Sequence, residues 1–200
     1  IPSVLKPYES VISTTSGHIS THEAGAIEHA GHKINEVEGL DGKLSCKNIQ
    51  SVLDAHSDEH MVKPKLVYIS NATETGTLYK KNELEALSIF CKSKGLLLYM
   101  DGARIGSALC SQDNDLTLAQ LSQWVDVFYI GGTKNGAMLG EAILIINDNL
   151  KENFRFHLKQ KGALLAKSRI FGIQFVELFK DDLFFRLAEH ANAMALKLSR

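Results

Sequence analysis

Hydrophobic and polar positions along the chain switch repeatedly between two periods. Ser10-Val11-Ile12-Ser13 reads as a short strand that runs into the polar segment Thr14-Thr15-Ser16-Gly17-His18. Thr21 to Ala30, with alanines, Ile27 and acidic residues, predicts a short helix closed by Gly31. Lys33 to Val37 alternates as a half-exposed strand, and Asp41-Gly42 marks a turn. Ser45 is the expected N-cap of a helix carrying Ile49, Val52 and Leu53 on one face. Pro64 to Ser70 predicts a strand that ends in the polar run Asn71 to Gly76. A helix follows from Lys81 to Lys94, with Leu84, Leu87, Ile89, Phe90 and Cys91 apolar and Gly95 as a left-handed stop. Leu96 to Met100 is nearly all apolar, as expected of a strand covered on both faces. A helix over Leu116 to Trp124, a strand over Val125 to Ile130 and a second buried-type strand over Glu141 to Ile146 complete the alternation. Beyond Asp148 only helical spacing remains, in Asn149 to His157, Ser168 to Phe179 and Asp182 to Ser199.

Strand and helix in alternation predict an α/β fold, a mostly parallel sheet flanked by helices, with a helical tail. The helical pattern still runs at Leu196-Lys197-Leu198-Ser199-Arg200 with no capping residue, and the chain opens as if in mid-structure. We therefore expect a segment of a longer protein.

Composition changes this picture little. The 200 residues, 44% hydrophobic, suit one globular domain. A formal net charge of -1 gives no electrostatic reason to expect nucleic acid or an anionic membrane as partner. Cys46, Cys91 and Cys110 form no CxxC pair, which fits a reducing compartment better than a disulfide framework. No apolar run approaches the roughly 20 residues of a membrane span, and Ile1 to Pro7 lacks the form of a signal peptide. The expectation is a soluble, cytoplasmic chain.

The chemistry gathers at two strand ends. Leu96 to Met100 delivers Asp101, followed by Gly102-Ala103-Arg104, and Val125 to Ile130 delivers Gly131-Gly132-Thr133-Lys134-Asn135-Gly136. Ligands of open α/β sheets bind at the carboxyl ends of strands. A phosphate-loop reading of Lys134 requires a following Ser or Thr, and Asn135 stands there instead; no GxGxxG is present either. A lysine that forms a Schiff base fits better, because pyridoxal phosphate needs an amine at its aldehyde and a carboxylate at its pyridine nitrogen.

Tyr68-Ile69-Ser70-Asn71, Met100-Asp101-Gly102-Ala103-Arg104-Ile105-Gly106 and Phe128 to Ala137 together resemble the threonine aldolase and aromatic amino acid β-eliminating lyase family, fold-type I enzymes dependent on pyridoxal 5'-phosphate. Gly17-His18-Ile19 with Glu23-Ala24-Gly25-Ala26 resembles the family's ring-stacking histidine segment. The resemblance implies a three-layer large domain over residues 1–177, incomplete at its N-terminus. It also implies a helix over 178–200 leading toward a small C-terminal domain. On matching positions, it implies that Lys134 holds the cofactor aldehyde and that Asp101 pairs with the pyridinium nitrogen. Arg104 would lie beside the ring hydroxyl and the substrate carboxylate. His18 would stack on the ring and handle the substrate's β-hydroxyl proton, and Thr133 would donate near the phosphate. Lys167 or Arg169 is a further phosphate candidate. The implied reaction is cleavage of threonine or allo-threonine to glycine and an aldehyde by a homodimer or homotetramer. β-Elimination, racemisation, transamination and a non-catalytic fold relative stand as alternatives.

One departure bears on substrate. Several aldolases carry a histidine in the loop after the third strand, whereas here Asn71 to Gly76 has none, so Glu74 or Thr73 is expected in its place. The i, i+4 pairs His18 with His22 and His56 with His60 lack the partners of a zinc motif, and no metal is expected. His29, His32, His157 and His190 are read as surface or packing residues. Met138, Phe154, Phe156, Phe171 and Phe175 are read as core, and the glycine and apolar flanks of Lys134 argue against a merely solvated charge.

Overall fold

A computed structural model describes residues 1–199. The chain runs β1 (Glu9–Thr14), α1 (His18–Thr21), α2 (Ala26–His29), β2 (Ile34–Val37), α3 (Cys46–Asp54), β3 (Lys63–Ser70), α4 (Lys81–Ser93) and β4 (Leu97–Asp101). It continues through α5 (Ile105–Leu109), α6 (Leu118–Trp124), β5 (Val127–Ile130), β6 (Ala142–Ile145), α7 (Phe154–Gln160), α8 (Arg169–Phe179) and α9 (Leu183–Leu198). The strands form one sheet in the order β2-β1-β3-β4-β5-β6. The pairs from β2 to β5 are parallel and β6 is antiparallel to β5.

Side-chain parity divides the core. Val67 and Ile69 of β3, Leu98 and Met100 of β4, and Phe128 and Ile130 of β5 face one side, where α3, α4, α5, α6, α8 and α9 cover them. Leu66 and Tyr68 with Leu97 face the other, beneath Ile19 of α1 and Ile27 of α2. Helices on both faces make the three layers expected of the sequence. Side-chain caps fix two helix starts: Ser45 accepts from the Asn48 N–H, and Thr117 from the Gln120 N–H, both at 3.3 Å.

Several expectations are corrected. Thr21 to Ala30 is not one helix, because Ala24 and Gly25 take left-handed conformations (φ 49° and 70°) that separate α1 from α2. The short helix α5, directly after the Asp-Gly-Ala-Arg motif, has too few residues to show a helical period. Helix α7 begins only at Phe154, because Asn153 is left-handed at φ 60°. Met138 is 90% exposed and Phe156 76%, so neither belongs to the core; α7 buries no residue among those described. Strand β6 is an edge strand, half-buried with Ile143 exposed, rather than covered on both faces. No helix among the described residues is long and apolar enough to cross a membrane. Helix α9 docks on α5, where Asn192 donates from Nδ2 to the Ser107 carbonyl at 3.0 Å.

Candidate active site at the ends of the central strands

Parallel pairing brings the carboxyl ends of β3, β4 and β5 side by side, with Ser70 opposite Asp101. The turns beyond β4 and β5 then approach so closely that only glycine fits. A Cβ on Gly102 would lie 1.9 Å from the Tyr129 carbonyl oxygen, and one on Gly131 would lie 2.2 Å from that of Ala103. This crossing sets the aspartate loop against the lysine loop.

Asp101 is 8% exposed. Its Oδ1 accepts from the Ala103 N–H at 2.9 Å and from the Tyr129 hydroxyl, and its Oδ2 accepts from the Tyr68 hydroxyl. Register explains the arrangement: Tyr68 pairs with Tyr99, two residues before Asp101, so all three project from one face of the sheet. Burial, and then the Asp101 charge, push the Tyr68 and Tyr129 phenols above their ordinary value; Tyr99 is raised for the same two reasons.

Lys134 sits in a single 3-10 turn, Thr133–Asn135, that Gly136 ends at φ 101°. The turn is anchored at both sides. Glu141 accepts from the Gly132 N–H and, at 2.9 Å, from the Thr133 hydroxyl. Asn135 donates from Nδ2 to the Phe184 carbonyl of α9 at 2.8 Å. Contrary to the reading from its flanks, Lys134 is exposed. Its backbone is held while its amine has no ion-pair partner among the described residues.

A cleft of about 330 Å³ lies between these loops. Its charged or imidazole wall is His18, Glu23, Glu74, Asp101, Lys134 and Glu141; the phenols Tyr99 and Tyr129 and the apolar Ala103 and Ile143 complete the lining. His18 is half-buried, its Nδ1 lies 2.7 Å from a Glu23 carboxylate oxygen, and its ring stacks on His22 at 5.4 Å.

The fold therefore brings Asp101, Lys134 and His18 to one cleft and leaves two other candidates aside. Arg104 turns its guanidinium to Glu74, 3.5 Å away, and lines a neighbouring larger cleft with Ser107 and Asn192. The Thr133 hydroxyl is engaged by Glu141. Lys167 and Arg169 do not line the cleft. Of the two candidates for the missing histidine, Glu74 reaches the cleft. Thr73 is buried and hydrogen-bonded to Thr75 and Thr77 at 3.1 and 2.7 Å. Sequence reasoning gave no role to Tyr68, Tyr129 or Glu141. The first two need the strand order to be seen beside Asp101, and Glu141 needs the β5–β6 reversal.

The donor set suits pyridoxal phosphate: a buried carboxylate, an amine with no ion-pair partner among the described residues on a held backbone, and a half-buried imidazole share one cleft.

A sequence profile of the beta-eliminating lyase family matches residues 1–199. The chain is 38% identical over 201 residues to a low specificity L-threonine aldolase of Pseudomonas aeruginosa. It is 40% identical over 204 residues to one of a Pseudomonas species, strain NCIMB 10558. In each comparison it is covered completely and spans 58% of the relative's length. A solved structure of Leishmania major threonine aldolase superposes with a TM-score of 0.97 at 56% identity, over 99% of this chain and 58% of that one.

Proposed function

The chain belongs to the beta-eliminating lyase family, and from that premise we propose that the whole protein is a pyridoxal 5'-phosphate-dependent carbon–carbon lyase. Its substrate is a β-hydroxy-α-amino acid, threonine or allo-threonine, and its products are glycine and an aldehyde. The observation that carries this reading is the convergence of Asp101, Lys134 and His18 on one cleft.

When bound, the cofactor supplies an electron sink for the pair released as the Cα–Cβ bond breaks. Lys134 would hold its aldehyde, and the anchored turn keeps that amine at the cleft. Asp101 would accept from the ring N–H and favour the protonated nitrogen. With Glu23 on Nδ1, the His18 proton is held at that nitrogen, which leaves Nε2 as the base for the substrate's β-hydroxyl proton. Exposed Arg104 is released from Glu74 at small cost, since such surface pairs are worth about 0–1 kcal/mol, and meets the substrate carboxylate. Thr133, whose hydroxyl proton is given to Glu141, would have to turn from that carboxylate to donate to the phosphate.

The reading extends to a cofactor-binding unit over 1–177 and a homodimer or homotetramer in the cytoplasm. The helix expected over 178–200 is broken at left-handed Asp181 and Asp182, so that α9 is the element leading toward a further small domain, and Arg200 lies outside the described residues. Incubating the full-length protein and cofactor with threonine and allo-threonine tests it. Glycine and acetaldehyde from either substrate are expected, and their absence with both overturns the lyase assignment.

A further inference from the structure

Asp101 is a buried carboxylate whose only partners among the described residues are neutral: two phenols and one backbone N–H. Among the described residues, no Lys, Arg or His lies within ion-pair distance of it. Burying an anion without a counter-charge is costly, and neutral donors reduce that cost while leaving the charge in place. A carboxylate oxygen accepts about two hydrogen bonds. Oδ1 is filled by Ala103 and Tyr129, whereas Oδ2 holds Tyr68 alone and keeps one acceptor position free.

We propose that Tyr68 and Tyr129 are positioning residues that clamp Asp101 as a free-standing anion, reserving the open lone pair of Oδ2 for the protonated ring nitrogen of the cofactor. This rests on the pyridoxal reading of the site and adds a role for two residues on the strands flanking β4. The clamp acts on rotation and charge together. Tyr68 from β3 and Tyr129 from β5 grip opposite oxygens, so the carboxylate plane cannot turn without losing a donor. A cationic clamp would neutralise Asp101 and remove its attraction for a pyridinium. Two phenols do not.

The test compares affinities of the full-length apoprotein for pyridoxal phosphate and for its deaza analogue, in which CH replaces the ring nitrogen. Tyr68→Phe and Tyr129→Phe retain ring volume and stacking, including the Tyr68–Tyr99 stack at 5.9 Å. Each is expected to weaken pyridoxal phosphate binding about tenfold, the scale of one hydrogen bond to a charged group, and to leave deaza-analogue binding unchanged. Circular dichroism spectra matching wild type confirm that each variant folds. Equal weakening for both ligands means a structural role and overturns the clamp, as does unchanged binding of both. Wild-type protein that binds neither ligand overturns the pyridoxal reading itself and the clamp with it.

Discussion

The Gly131 N–H donates to the Gly102 carbonyl at 2.9 Å, fastening the end of β5 to the end of β4 just after Asp101 and three residues before Lys134. Neither glycine has room for a side chain, because the obstacles are backbone atoms that cannot rotate away. Gly131→Ala is expected to destabilise the protein by about 3 kcal/mol, the upper end for overpacking. Gly172→Ala, where a Cβ meets nothing within 4 Å, is the control and is expected to be neutral or slightly stabilising. Urea denaturation of both variants measures the difference.

The lysine turn makes a graded prediction. Glu141→Ala strips an acceptor from the buried Gly132 N–H and from Thr133, and an unsatisfied buried donor costs about 1–3 kcal/mol. Thr133→Val removes only the exposed member of the pair and is expected to cost about 0.5 kcal/mol or less. Thermal unfolding should rank Glu141→Ala well below Thr133→Val, and the reverse order would show that Glu141 does not hold the turn.

Cys91 carries a pH prediction. Burial pushes its thiol up to about 12, with smaller contributions from Asp126 and Cys46. The folded state therefore keeps a proton that the unfolded state gives up from about pH 9. Stability from this group is complete below about pH 9 and is lost as pH rises toward 12. The wild type is expected to lose stability across that window, and Cys91→Ala to lose less of it. At about pH 8, just under the ordinary thiol range, a thiol reagent should modify the half-buried Cys46 and Cys110 before Cys91, which is 1% exposed.

How much of the molecule is legible in its sequence varies by element. Strands β3, β4 and β5 are readable because a short apolar run that stops at glycine or a polar segment fits little besides a buried strand. The place of Asp101 and Lys134 at neighbouring strand ends follows from the same pattern. The break at Ala24-Gly25 escapes that reading because a left-handed alanine leaves no mark on hydrophobic periodicity. The exposure of Met138 and Phe156 escapes it because apolar identity does not say whether a neighbour exists to cover it. Arg104 illustrates a further limit. Three residues past Asp101, it lies on the same loop, yet it lines the next cleft and its guanidinium meets Glu74, a partner 30 positions away.

Lys134 separates folding from chemistry. Its side chain is exposed and, among the described residues, its amine has no acidic partner, so Lys134→Ala is expected to change stability by less than about 0.5 kcal/mol. Four lysines are engaged elsewhere, Lys43 2.7 Å from Glu83, Lys151 2.6 Å from Asp148, and Lys65 and Lys80 on backbone carbonyls, and what sets Lys134 apart is its place. Among the described residues, Lys134 is the one lysine that lines the cleft holding Asp101. Borohydride reduction of the full-length protein with pyridoxal phosphate should therefore fix one equivalent of cofactor to the peptide containing Lys134, seen as a mass shift. In Lys134→Ala that peptide should stay unmodified while the melting temperature is unchanged. Modification spread over Lys43, Lys65 and Lys80 at wild-type yield would mean that the amine at the end of β5 has no special access to the aldehyde. The convergence with Asp101 would then be geometry without chemistry.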